Sequence, residues 1–255
     1  MKKVAFLFLI FVCVINVSAQ NELFEKREFV YKGDTLKYRV LFPDNYDKTR
    51  KYPLVLFLHG AGERGSDNEK QLTHGGLLFT NLQNRRDYPS IVIFPQCPEN
   101  EFWVKIDERN NNIFSFPDKP KISTPLLLVK KLVDSYKKTE SIDKKKVYIL
   151  GLSMGGMGTF DMICRYPRYF AAAIPICGGV YEPRLKKARK MPIRIFHGAA
   201  DNVVNINHSR NAYYELKADG SQRAELIIFP GVGHNSWDDA FAYPDFLGWM
   251  YYHEK

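Results

Sequence analysis

Gly151-Leu152-Ser153-Met154-Gly155 sets a serine between two glycines where two sequence patterns meet. Before it, Lys146 to Leu150 is a short β-branched and aromatic run, the pattern of a buried strand. After it, Met154 to Tyr166 is apolar-rich and stops at Pro167, the pattern of a helix. A strand that turns sharply into a helix holds a serine on a strained corner with its hydroxyl exposed, and flanking glycines let other backbone pass close. The chemistry this suggests is nucleophilic attack by Ser153.

A serine hydroxyl is a weak nucleophile at neutral pH. It needs a base within hydrogen-bond reach, and the base needs an orienting carboxylate. Around a serine on such a corner, the partners follow in the order Ser, Asp or Glu, His. Of the six histidines, His59 and His74 precede Ser153, His197 ends an apolar run, His208 starts a helical one, and His253 lies in the tail. His234 remains, in the loop Gly231-Val232-Gly233-His234-Asn235 after the last predicted strand. The acid must lie between Ser153 and His234. Asp201 follows the predicted strand Ile193 to Phe196 on the edge where Ser153 points, and Glu182 is the rival position. The negative charge that develops during acyl transfer needs backbone donors. One is expected from the N–H of Met154, and the other from Ala61 in the loop His59-Gly60-Ala61-Gly62.

These residues need a parallel sheet to bring them to one edge. Glu28 to Tyr31 and Leu36 to Phe42 read as opening strands joined through Lys32-Gly33-Asp34. Pro53 to Leu58, Ser90 to Phe94, Ala171 to Ile176, Ile193 to Phe196 and Ala224 to Phe229 read as further strands. Helices are expected at Gln71 to Leu82, Thr124 to Thr139, Arg184 to Lys190, His208 to Ala218 and Phe241 to Tyr252. In the second of these, Leu126, Leu127, Val129, Leu132, Val133 and Tyr136 form the inward face. Pro95 to Ser123 is a long loop rich in Pro, Asn and aromatics. Strands alternating with helices predict an α/β protein: a mostly parallel sheet of about eight strands with helices on both faces. No internal repeat or interdomain linker interrupts it.

Lys2-Lys3, the apolar run Val4 to Val17 and the small residues Val17-Ser18-Ala19 read as an export signal over residues 1–19. The expected product is one domain, 20–255, located in the periplasm or outside the cell and without stable membrane insertion. Three of the four cysteines remain in it, Cys97, Cys164 and Cys177, enough for one disulfide at most. The formal charge of +9 includes the two signal lysines, and the other lysines are spread over predicted helices and turns. No nucleic-acid motif appears. Gly60-Ala61-Gly62-Glu63-Arg64-Gly65 spells Gly-x-Gly-x-x-Gly, yet polar Ser66-Asp67-Asn68-Glu69 follows where a dinucleotide site needs a helix. No His-Glu-x-x-His or other clustered ligand set appears. Neither a cofactor nor a metal is expected.

Five motifs in order carry a resemblance. They are Leu58-His59-Gly60-Ala61-Gly62-Glu63-Arg64-Gly65, Pro95-Gln96-Cys97-Pro98, Gly151-Leu152-Ser153-Met154-Gly155-Gly156, His197-Gly198-Ala199-Ala200-Asp201 and Gly233-His234-Asn235-Ser236-Trp237. Together they resemble the secreted esterase branch of the α/β-hydrolase superfamily, near feruloyl esterases, acetyl-xylan esterases and polyhydroxybutyrate depolymerases. Some similar chains carry the description of predicted peptidases. The resemblance implies the α/β-hydrolase fold, the triad Ser153, Asp201 and His234, and the donors Ala61 and Met154. It also implies a small acyl ester or acylated plant polysaccharide as substrate. Phe102, Trp103 and Trp237 lie in or beside loops expected at the active edge and are candidates to stack on a sugar or phenolic ring. Two other functions fit the same fold. One is a peptidase of prolyl-oligopeptidase type, although no gating repeat domain is present in the sequence. The other is a carbohydrate-binding protein without chemistry.

Overall fold

The computed structural model describes residues 22–255, so the export signal expected at 1–19 lies outside the described residues. The chain opens with an antiparallel hairpin, β1 (Glu25–Tyr31) and β2 (Asp34–Leu41). Strand β3 (Tyr52–Leu58) follows, then the short helices α1 (Gly76–Thr80) and α2 (Leu82–Asp87), and β4 (Ile91–Pro95). A small hairpin, β5 (Glu108–Asn110) and β6 (Ile113–Ser115), stands apart from the main sheet. Then come α3 (Thr124–Thr139), β7 (Ile142–Leu152), α4 (Met154–Arg165) and β8 (Ala172–Ile176). The chain closes with β9 (Ile193–Gly198), α5 (Asn207–Ala218), β10 (Ala224–Phe229), α6 (Trp237–Ala242) and α7 (Phe246–Tyr252).

The main sheet has eight strands in the order β1-β2-β4-β3-β7-β8-β9-β10. From β4 to β10 every pair is parallel; β2 alone runs against the rest, since β1 is antiparallel to β2 and β2 to β4. Central strands β3, β4 and β8 are apolar along their length because helices cover both faces. One core contains Leu54, Leu56 and Ile149 from the sheet with Val129, Leu132 and Phe160 from α3 and α4. The other contains Val55, Phe57 and Leu150 with Phe79, Phe246 and Trp249 from α1 and α7. Neighbouring strand residues therefore point to opposite cores, as the pleat requires.

Three expectations are corrected locally. The helix expected at Gln71 to Leu82 is broken. Gly75 adopts φ 87, a Cβ there would stand 2.6 Å from the Phe57 ring, and the Asn81 side chain caps a second helix by accepting from Gln83 N and Asn84 N. In α3, Leu128 is buried in place of Leu127. The closing helix is two helices, separated by Tyr243-Pro244-Asp245, because Pro244 cannot continue the first. Cys97, Cys164 and Cys177 are free and buried, with no disulfide among the described residues. No described helix is long and apolar enough to cross a membrane.

Candidate active site

Ser153 sits between the last residue of β7 and the first of α4, with φ 53 and ψ −118. A non-glycine residue in such a region costs about 1–3 kcal/mol, so its surroundings must hold it there. Ser153 N donates to Ile176 O at 2.9 Å, and Ser153 O accepts from Met157 N at 3.0 Å. The corner is tight enough that a Cβ on Gly155 would overlap the Leu58 carbonyl of β3. Gly155→Ala should therefore destabilise the fold by about 3 kcal/mol, seen as a fall in Tm of roughly 10 °C. An unchanged melting curve would show that α4 can move off β3 without loss.

His234 lies in the loop after β10, with Nε2 2.9 Å from Ser153 Oγ and Nδ1 2.7 Å from Asp201 Oδ2. Asp201 lies in the loop after β9, and its side chain is fully buried. Its Oδ1 accepts from Val203 N at 2.8 Å and Val204 N at 2.9 Å. The two loops are tied together: Ala199 N donates to Phe229 O and Ala200 N to Val232 O, both at 2.9 Å. Parallel strands β9 and β10 thus deliver Asp201 and His234 to the edge that β7 gives to Ser153. Burial works to raise the Asp201 pKa, but hydrogen bonds from His197, His234, Val204 and Val203 outweigh it and hold the carboxyl well below the usual range. Asp201 is therefore an anion at neutral pH.

Glu182, the rival acid, opens the 3-10 segment Glu182–Ala188 and makes no hydrogen bond or ion pair with His234 among the described residues. A different residue, His197, ends a strand in the sequence and so carries no obvious sign there of a role at the site. Its Nε2 lies 3.1 Å from Asp201 Oδ2. Only its spacing of four residues from Asp201 hinted at this contact.

The loop after β3 closes the other side. A Cβ on Gly60 would stand 3.6 Å from Ser153 Cβ, so this backbone passes directly beside the serine. Ala61 begins a 3-10 turn, Ala61–Glu63, and Met154 is the first residue of α4. The first N–H groups of a helix lack intrahelical partners, which leaves them available to an anion. Gly60 to Gly65 contains this three-residue turn and then leaves it in extended backbone at Arg64, so no helix opens there to receive a pyrophosphate. His59 anchors the loop. Burial pushes its pKa down to about 4, and the neutral ring accepts from Cys97 N at 2.9 Å while Nδ1 meets Gly60 O at 2.6 Å.

The three aromatics have different fates. Trp103 is fully buried, donates from Nε1 to His59 O at 3.0 Å and packs edge-on to the His59 ring. It is not a stacking surface: it supports the loop from below, which corrects the sequence expectation. Phe102 is exposed, with the Arg64 guanidinium 4.5 Å from its ring centre. Trp237 packs edge-on to His234, ring centres 5.4 Å apart, and also against His74. Cys177, Asp201 and His234 offer the ligand atoms nearest to a metal set, all within 4.8 Å of one another. An ion there would have to break the His234–Asp201 bond and bind a thiol whose pKa burial has raised. That donor set fits proton transfer better than metal binding.

The family described as phospholipase/carboxylesterase matches residues 46–244. A probable carboxylesterase of Arabidopsis thaliana, SOBER1-like, is 28% identical over 74% of this chain and 75% of its own length. An endo-1,4-beta-xylanase/feruloyl esterase of Xylanibacter ruminicola is 29% identical over 73% of this chain, which spans 24% of that longer protein. The crystal structure of a thermostable esterase superposes with a TM-score of 0.84 at 32% identity, covering 93% of this chain and 64% of that one.

Proposed function

The chain belongs to the phospholipase/carboxylesterase family, has the α/β-hydrolase fold and is a carboxylic ester hydrolase, and on that premise we propose that Ser153, His234 and Asp201 are its catalytic triad. The observation that carries the proposal is the unbroken chain of contacts, 2.9 Å from Ser153 Oγ to His234 Nε2 and 2.7 Å from His234 Nδ1 to Asp201 Oδ2. Ser153 Oγ attacks the acyl carbonyl as His234 Nε2 takes its proton. The carbonyl oxygen becomes an oxyanion and is met by the N–H groups of Ala61 and Met154. Collapse expels the alcohol, which receives the proton from His234. Water, deprotonated by the same histidine, then attacks the acyl carbon, and His234 returns that proton to Ser153 Oγ as the acid leaves. Asp201 orients His234 and stabilises its cationic form.

The proposed substrate is an acetyl or feruloyl ester on plant polysaccharide, met outside the cytoplasm by a single domain (20–255) exported through residues 1–19. The named activities of the Xylanibacter relative support this choice, as do exposed Phe102 and the ring of Trp237 beside His234. A panel of p-nitrophenyl acetate, methyl ferulate, acetylated xylan and a prolyl-peptide anilide tests it. The esters should be cleaved and the anilide spared, because an amide has the poorer leaving group. Turnover of p-nitrophenyl acetate with none of methyl ferulate or acetylated xylan would overturn the polysaccharide substrate. Turnover of the anilide alone would make the protein a peptidase.

A further inference from the structure

Asp201 has a close neighbour that a triad does not require. An ionised carboxylate offers about four lone-pair sites. Val203 N and Val204 N meet Oδ1, while His234 Nδ1 meets Oδ2 at 2.7 Å and His197 Nε2 meets the same oxygen at 3.1 Å. His197 is fully buried near the end of β9. Its Nε2 also lies 2.9 Å from Val204 O. Both neighbours of Nε2 are acceptors, so this nitrogen carries the hydrogen. Its Nδ1 lies 2.7 Å from Ser209 Oγ in α5, whose hydroxyl can donate to it. Helix α5 thereby fixes the ring with its Nε2–H toward Asp201 and Val204 O, much as outer partners fix the orientation of a metal-binding histidine.

Resting on the triad proposed above, we infer that His197 is a positioning residue: its Nε2–H holds Asp201 in the rotamer that meets His234 and, by sharing Oδ2, limits how strongly the carboxylate retains the His234 proton. Other titratable groups pack around this pair. His208, next to Ser209 on α5, accepts from Phe114 N at 3.0 Å, and burial lowers its pKa, so it is uncharged at neutral pH. Cys177 at the end of β8 lies beside Asp201 and His234, and burial raises its thiol pKa, so it is uncharged too. Of these neighbours, Asp201 carries the fixed charge that His197 meets. Losing the His197 donor leaves more negative charge on Oδ2. The His234 imidazolium is then favoured, and the free base needed for attack forms only at higher pH.

The test is the pH dependence of kcat/KM for p-nitrophenyl acetate in wild type, His197→Phe and His197→Gln. His197→Phe should lower the plateau about tenfold and move the acid limb up by about half a pH unit, with KM changed less than about twofold. His197→Gln, which keeps an N–H donor, should bring the limb back toward wild type. A uniform loss with the limb unmoved would assign His197 to packing and overturn the inference, as would wild-type behaviour in His197→Phe. Nitrogen-15 spectra of histidine-labelled wild type provide a test that needs no variant to fold. His197 should appear with a hydrogen on Nε2, and a ring with its hydrogen on Nδ1 alone would overturn the inference. Failure of the triad itself would show separately, as retained activity in Ser153→Ala.

Discussion

Ser153→Ala should lower kcat for p-nitrophenyl acetate by at least ~10⁴-fold while leaving the protein folded. The size follows from what is lost. Without Oγ no acyl-enzyme forms, and water alone must attack an ester held against the proposed donors Ala61 and Met154. The fold should survive because alanine keeps the Cβ that already tolerates φ 53, and the backbone bonds to Ile176 O and from Met157 N are untouched. The side-chain contact surrendered is the 2.9 Å bond to His234, at a half-buried position where the imidazole can turn to water. The melting temperature should therefore fall by no more than a few degrees, ~1 kcal/mol in stability. An active-site phosphonate should label the wild type and not the variant. Activity within tenfold of wild type, in a folded sample free of contaminating esterase, would remove Ser153 from the mechanism.

The serine corner was readable because its signals are local. Five residues and their flanks specify a strand, a glycine-lined turn and a helix, and β7 and α4 meet at Ser153 as that pattern requires. Asp201 and His234 were readable for a different reason: each follows a strand, and parallel strands put their following loops on one edge. What could not be read depends on distant contacts. Trp103 looks like a loop aromatic until its indole N–H is found on His59 O, 44 residues away in the chain. His197 looks like a strand end because its partners lie on β9's own loop and on α5. The hairpin β5–β6 is not legible in the sequence because its strands are three residues each and β5 is fully polar and exposed, with Asn111 turning at φ 53. The break at Gly75 was hidden by a helical pattern on both sides, and it is imposed by a phenylalanine of β3.

Asp201→Asn should cost about 10⁴-fold in kcat even though the side chains are nearly the same shape. The carboxylate accepts on both oxygens and the amide does not. If the amide oxygen stays on Val203 N and Val204 N, the NH₂ group faces His234 Nδ1 and His197 Nε2–H. Donor then meets donor at His197. At His234 the amide selects the tautomer with the hydrogen on Nε2, which points at Ser153 Oγ and cannot accept its proton. Flipping the amide relieves His197 but turns the NH₂ onto two backbone N–H groups, so no orientation satisfies all four neighbours. The same replacement changes acid stability. Asp201 has a depressed pKa in the folded protein, so its hydrogen bonds favour folding above the ordinary carboxylate pKa of about 3.9. That contribution fades as pH falls toward the depressed value. The wild type should therefore lose part of its stability only in acid, and the gap between wild type and Asp201→Asn should narrow as pH is lowered below ~4. A Glu182→Gln variant with the larger loss of turnover would place the acid on β8's loop instead, and near-normal turnover in Asp201→Asn would show that His234 needs no carboxylate to act as base.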